Sequence, residues 1–429
     1  MIRRPSFVSL TTLVLTLILT VSAKAYRVSP SEYDFPALQP SFSTFYAACL
    51  AAAGKGEDLS VSVIGRRIEN YRKYKTLKLK IYKAAAAAPV VYIISGLGGD
   101  EDSNLSKFLA EQIQKMGLSA VVVPNTMTAN FVVGASQSGI VGLTSEDAKD
   151  LYSALEKTAA ELSMQGLSSS ERFLLGYSHG ALLSSYLTML DQTQKKLNFK
   201  STLLINPPVD LLYGLEVLDK KAEQFSDISF GRLIDFATEL QGQVKKCAKT
   251  STEVRNPQEF MDNLDLKEVE ASGLIGRVLS GTLKDLILAT EAIVDHEVLP
   301  EAGTPGSAVE RQQNAARNSA AGRIHFQSYV EKILIPFNEK ARNSGLLELS
   351  ASTSLPFALS ELTQNQNVFL MHNVDDFLLR GDDLSYLETY FGVRARIYPY
   401  GGHLGNLGQT DNLKAIENWL KNGRLNIRD

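Results

Sequence analysis

Residues 171–183 read ERFLLGYSHGALL. Phe173, Leu174 and Leu175 form an unbroken apolar run, the mark of a strand covered on both faces. The stretch from Ala181, ALLSSYLTMLDQT, reads as a helix. Between them lies Gly-Tyr-Ser-His-Gly, with Ser178 at the turn. A strand that passes so abruptly into a helix needs small residues at 176 and 180, because backbone meets backbone there. Ser178 then stands exposed at a helix N-terminus, where the helix dipole favours developing negative charge. The five-residue pattern alone arises by chance roughly 0.15 times in a chain of this size and ordinary glycine and serine content. The strand before it and the helix after it therefore carry most of the reading.

Working outward, the same alternation recurs. PVVYIISG (89–96), SAVVVPN (119–125) and FKSTLLINPP (199–208) read as buried strands. NLSKFLAEQIQKMG is an amphipathic helix closed by Gly117. The helix TSEDAKDLYSALEKTAAELSMQG opens with an expected capping box from Thr144 to Asp147, and Leu151, Leu155, Ala159 and Leu162 share one of its faces. YKTLKLKIYK (74–83) alternates like an outer strand, and residues 26–60 show no clear period. From Val209 to about Asn365 the rhythm stops, and helical stretches such as RLIDFATELQGQVKK and GTLKDLILATEAIV take over. Connections in α/β units are usually about 2–6 residues, so 209–365 is expected to be a helical insertion. The alternation resumes with strands QNVFLMHN and VRARIYPYGG and helices LSYLETYFG and TDNLKAIENWLKNG. The expected organisation is a leader (1–25), a core in two parts (26–208 and 366–429) and the insertion between them. Strands and helices alternating on both sides imply an α/β fold with a mostly parallel, doubly covered sheet. Ligands in such sheets bind beyond the carboxyl ends of the strands.

The chemistry-bearing residues fall at those ends. A serine hydroxyl needs a base to become a nucleophile, and RIYPYGGHLGNL supplies His403 on a glycine-rich loop after the last strand. An acid to orient the imidazole is expected after the preceding strand, where MHNVDDFLL offers two. Asp376 is favoured over Asp375, with Asp210 after INPPV a third candidate. His372 lies in the apolar register of its strand and reads as a packed core histidine. A tetrahedral intermediate needs two backbone N–H donors. One is expected from His179, whose side chain reads as incidental, and the other from Leu97 in ISGLGGDED. The SGLGG turn lacks the spacing and the lysine of a nucleotide-binding loop.

The order Ser178, Asp376, His403, with Gly96-Leu97-Gly98-Gly99 upstream, resembles the α/β-hydrolase superfamily over about residues 75–210 and 365–425. The resemblance implies an α/β-hydrolase fold with a large helical cap at the insertion, a Ser-His-Asp triad and an acyl-enzyme intermediate. Ser178 argues against a dehalogenase, whose nucleophile is normally aspartate. Ser95-Gly96 stands where many members have His-Gly, which alters the support of that loop and not its backbone donor. The expected activity is hydrolysis of an ester, or of a thioester or amide. The alternatives are an acyltransferase using the same residues, and a silent binding or scaffold protein of the cell envelope.

Composition narrows the partners. The 429 residues carry a net charge of −3, 44% hydrophobic and 21% charged residues, ordinary for a globular protein. No long basic stretch exists, so nucleic acid is not expected as a partner, and a small-molecule or lipid acyl substrate is. The five histidines are scattered and neither H-E-x-x-H nor C-x-x-C occurs, so no metal or cofactor is expected. Arg3 and Arg4, an apolar run from Phe7 to Val21, and Ala23-Lys24-Ala25 have the form of a secretory signal. Cleavage after Ala25 is expected, giving a secreted or periplasmic protein with no remaining membrane span; the alternative is an uncleaved anchor. In an exported protein Cys49 and Cys247 either pair or remain two buried thiols.

Overall fold

A computed structural model of the protein describes residues 24–427, apart from 51, 53, 168–170, 225–256, 263–265, 295–297, 304–308 and 343–344. Its strands are β1 (Tyr26–Arg27), β2 (Glu57–Val61), β3 (Leu77–Tyr82), β4 (Val90–Ile94), β5 (Ser119–Val123), β6 (Arg172–Tyr177), β7 (Phe199–Ile205), β8 (Val368–Asn373) and β9 (Ala395–Tyr398). They form one sheet in the order β1-β9-β8-β7-β6-β4-β5-β3-β2. Among the described strand pairs only β2–β3 and β3–β5 are antiparallel. From β4 the chain moves to β5 on one side, then returns to β6 on the other, pairing parallel with β4 both times. The strand order therefore reverses beside β4, where such sheets open a crevice at their carboxyl ends. This order, with a strand–serine–helix turn after β6, is the α/β-hydrolase fold.

Period-two side-chain geometry explains why the strands read as continuous apolar runs. In β4, Val90, Tyr92 and Ile94 enter the core on one face, and Val91 and Ile93 the core on the other. The first core is covered by α3 (Ala129–Gly134), α4 (Thr144–Met164) and α5 (His179–Gln194), through residues such as Phe131, Leu151, Leu155 and Leu182. The second is covered by α2 (Asn104–Lys115) and the helix Thr410–Asn422, through Phe108, Ile113 and Trp419. Each fully buried Leu, Ile or Phe contributes about 1.5–3 kcal/mol by leaving water. Trp419 also donates from Nε1 to Ser201 Oγ at 2.7 Å, which fixes the closing helix to β7.

Between β7 and β8 the described residues are helical, beginning with α6 (Leu211–Glu223) and including the helix Glu268–Gly281. An isolated bridge between Asp210 and Ser354 is the extended pairing found there among the described residues. The expected helix at 232–246, the leader over 1–23 and Cys247 lie outside the described residues. Cys49 is buried and disulfide-bonded.

Two details depart from the sequence reading. The capping box at Thr144 does not form. Helix α4 begins one residue earlier than that motif requires, so Thr144 is inside the first turn and its hydroxyl has no partner among the described residues. Asp147 reaches back instead to the Gly142 N–H at 2.8 Å. The unpatterned residues 26–60 also hold structure: β1, α1 (Pro40–Tyr46) and β2. These elements are too short for a hydrophobic period to register.

Candidate active site

Ser178 occupies the turn between β6 and α5 with φ 55° and ψ −131°, a conformation that costs a residue with a side chain on the order of 1–3 kcal/mol. The turn is forced by close approach. A Cβ on Gly180 would lie 2.2 Å from the Ile94 carbonyl oxygen, so only glycine lets α5 start this near β4. Ser178 is 9% exposed.

The histidine comes from the loop after β9. His403 Nε2 lies 2.8 Å from Ser178 Oγ, and its Nδ1 lies 2.9 Å from Asp376 Oδ2. The three side chains are 225 and 27 positions apart in the chain at these two contacts. The loop is held from three sides. Gly402 has φ 56°, and a Cβ there would sit 2.2 Å from the Pro40 carbonyl oxygen. The His403 N–H donates to Thr44 Oγ1 at 2.7 Å, and that hydroxyl donates to Pro40 O, so α1 anchors the histidine. Phe377 packs against the imidazole with ring centroids 5.7 Å apart.

Two adjacent acids take different places. Asp376 is 4% exposed, and its Oδ2 also accepts Asn206 Nδ2 at 2.7 Å while Oδ1 accepts the Leu378 N–H at 3.0 Å. Burial pushes this carboxyl up, but the His403 imidazole and its hydrogen bond outweigh burial and hold it below the usual carboxylate range. Asp375 turns the other way and accepts the N–H groups of Gly401 and Gly402 at 3.2 and 2.9 Å, which braces the loop leading to His403. Burial raises its carboxyl. Asp210 is elsewhere: it caps α6 at the Tyr213 N–H and pairs with Arg380 at 3.0 Å. His372 is buried with Nε2 3.2 Å from the Pro207 carbonyl oxygen, and burial lowers it toward the neutral form.

The turn after β4 passes directly over the serine. A Cβ on Gly96 would stand 3.2 Å from Ser178 Cβ. The backbone N–H groups of Leu97 and His179 have no acceptor among the described residues. Leu97, His179 and Ser178 line one cavity, so these N–H groups are candidates to receive an anionic oxygen there.

Ser178 and His403 open into a cavity of about 450 Å³. Its far wall is Leu211, Leu215 and Leu218 of α6 with Ile275 and Leu279 of the helix Glu268–Gly281, and α1 contributes Phe45 at the side. None of the described residues that line it is Lys, Arg, Asp or Glu. Among the described residues no group of three or more His, Cys, Asp or Glu side chains could hold a metal ion. Sequence reasoning missed Asn206, Thr44 and Phe45: the first is a lone amide after a strand, and the others lie in a stretch without period.

No protein-family model matches the sequence, and no curated protein matches it. The structure is similar to an acylaminoacyl peptidase from Pyrococcus horikoshii at 12% identity and a TM-score of 0.42, over 88% of this chain and 43% of that one. The chain thus spans less than half the length of that peptidase. It is also similar to a hyperthermophilic esterase from the archaeon Pyrobaculum calidifontis, at 12% identity and a TM-score of 0.43, over 90% and 89% of the two chains. A thioesterase domain from the curacin biosynthetic pathway is similar at 16% identity and a TM-score of 0.36, over 86% and 99%. The assignment of the α/β-hydrolase fold rests on the strand order and the turn after β6.

Proposed function

We propose that the protein is an exported serine hydrolase that cleaves esters of apolar acyl groups. The observation that carries this reading is the continuous contact Ser178 Oγ–His403 Nε2–His403 Nδ1–Asp376 Oδ2, at 2.8 and 2.9 Å, opening into a cavity whose described lining holds no Lys, Arg, Asp or Glu. His403 takes the proton as Ser178 Oγ attacks the carbonyl carbon. Asp376 keeps the proton on Nδ1 and steadies the imidazolium. The oxyanion is received by the N–H groups of Leu97 and His179. Collapse breaks the bond to the leaving alcohol or thiol, which takes the proton from Nε2. Water, deprotonated by the same nitrogen, then releases the acid. The cavity volume lies within the about 300–1,000 Å³ typical of small-molecule sites. Its described walls favour a neutral, apolar acyl chain, since a charge buried there would find no partner among them. In this reading the described helices between β7 and β8 form a cap over the strand ends.

Export rests on the basic, apolar and small-residue pattern of the first 25 residues and on the disulfide at Cys49, a bond that persists in oxidising compartments. Among the described residues no helix is long and apolar enough to cross a membrane. The reading is tested with p-nitrophenyl esters from acetate to dodecanoate beside peptide p-nitroanilides. Hydrolysis of the esters is expected, with kcat/KM rising along the series until the cavity is filled, and slow or no release from the anilides. A folded protein that turns over none of the esters contradicts it.

A further inference from the structure

Asn125, directly after β5, is fully buried and uses its backbone and both side-chain polar atoms across separate loops. Its N–H donates to the Gly99 carbonyl at 2.8 Å, and its Nδ2 donates to the Ser95 carbonyl at 2.8 Å. Its Oδ1 accepts the Met127 N–H at 2.9 Å and lies 3.2 Å from His179 Nδ1. The amide cannot be turned over, because Oδ1 faces a backbone donor and Nδ2 a backbone acceptor. His179 Nδ1 must therefore carry the hydrogen of this contact. The imidazole is 2% exposed, and burial pushes it down to about 4, so it is neutral. Its Nε2 has no hydrogen-bond partner among the described residues, which leaves the Asn125 contact as its polar tie.

The geometry has a simple consequence. Leu97 lies in the turn between Ser95 and Gly99, and Asn125 grips the carbonyl at each end of that turn. The same amide grips the side chain of His179, whose backbone N–H is the other donor beside Ser178. One side chain thus joins the two loops that would form an oxyanion hole, although they are some 80 residues apart in sequence. We propose that Asn125 and the imidazole of His179 are positioning residues that fix the Leu97 and His179 N–H groups relative to each other before the oxyanion forms. The inference rests on the serine-hydrolase reading of this site. It also gives the turn after β4 a support where Ser95 begins it. Donors held in place before reaction stabilise the transition state without reorganisation, so loosening them lowers kcat more than it alters substrate binding.

The test compares wild type, Asn125→Ala, His179→Leu and His179→Asn by kcat and KM on a p-nitrophenyl ester, and by the rate of phosphonylation with a fluorophosphonate. Asn125→Ala and His179→Leu are expected to lose about 10- to 100-fold in kcat and in phosphonylation rate, with KM within about threefold of wild type. His179→Asn can offer an N–H near the position of Nδ1 and is expected to recover most of the loss. Unchanged kcat in variants that circular dichroism reports as folded overturns the inference. So does a rise in KM at constant kcat, or equal impairment of His179→Leu and His179→Asn. If Asn125→Ala does not fold, the pair at 179 decides. A wild type that neither turns over ester nor reacts with the probe overturns the hydrolase reading itself, an outcome distinct from active wild type with unaffected variants.

Discussion

The two walls of the cavity are built on opposite principles. The wall at the strand ends is polar, and Ser178, His403 and Asp376 are joined there by directed hydrogen bonds of 2.8 and 2.9 Å. It draws on turns after β6, β8 and β9, each braced by backbone donors, glycine contacts or a neighbouring hydroxyl. The facing wall, from α6 and the helix Glu268–Gly281, is lined by apolar residues such as Leu211, Leu215, Leu218, Ile275 and Leu279. Apolar contact is non-directional and tolerates displacement, whereas a proton transfer needs its atoms within a few tenths of an ångström. On the proposed function, bond cleavage and acyl selectivity are therefore separable, and substitutions on the two walls should have different kinetic signatures.

The largest effect is expected at the strand ends. Ser178→Ala should lower kcat on a p-nitrophenyl ester by about 10⁴-fold or more, with the fold unchanged by circular dichroism. Retention of a tenth of the activity would erase the distinction between the walls. The next test separates neighbours. Asp376→Asn should cost about 10³- to 10⁴-fold in kcat, because an amide cannot hold the imidazole in the required tautomer. Asp375→Asn should cost only about 10-fold, because it loosens the glycine turn without touching the imidazole. Equal losses at 375 and 376 contradict the division of roles between them.

The apolar wall should answer differently. Leu218→Trp fills part of the cavity and should reduce kcat/KM for the longest p-nitrophenyl ester by about 10-fold, with acetate within about twofold of wild type. A uniform loss along the series would mean that this wall also serves the chemistry. The smallest effect concerns stability. His179 is held near 4 in the fold against an ordinary value of 6.5, so the unfolded chain takes up its proton first as the pH falls. This contribution is fully present above pH 6.5 and is lost on the way down to about pH 4, by roughly 3 kcal/mol. Urea denaturation should therefore show wild type losing stability relative to His179→Asn between pH 7 and pH 4. A difference independent of pH contradicts a neutral, buried imidazole.

The polar wall was largely legible in the sequence and the apolar wall was not, for physical reasons. Strands such as β4 and β6 are buried on both faces, so their composition alone marks them. Ser178 and His403 fall where those runs end in glycine-rich turns. Which of two adjacent acids meets the histidine depends on how the turn after β8 closes, and sequence could only favour Asp376. The incidental reading of the His179 side chain overlooked Asn125, which lies 54 residues away and becomes its neighbour only through the order of β4, β5 and β6. The lining of the apolar wall is a matter of which helical face turns toward the sheet, and a broad apolar stripe does not say what it packs against. Thr44 and Phe45 were invisible because α1 is only 7 residues long.

The central claim is that the hydroxyl of Ser178 is reactive because His403 and Asp376 make it so. Peptide mapping after treatment with a fluorophosphonate tests it most directly. The account predicts one phosphonyl group per chain, carried on the peptide that contains Ser178, absent in Ser178→Ala and strongly slowed in His403→Gln. A folded wild-type protein that takes up no label, or takes it up on another residue, would contradict the account.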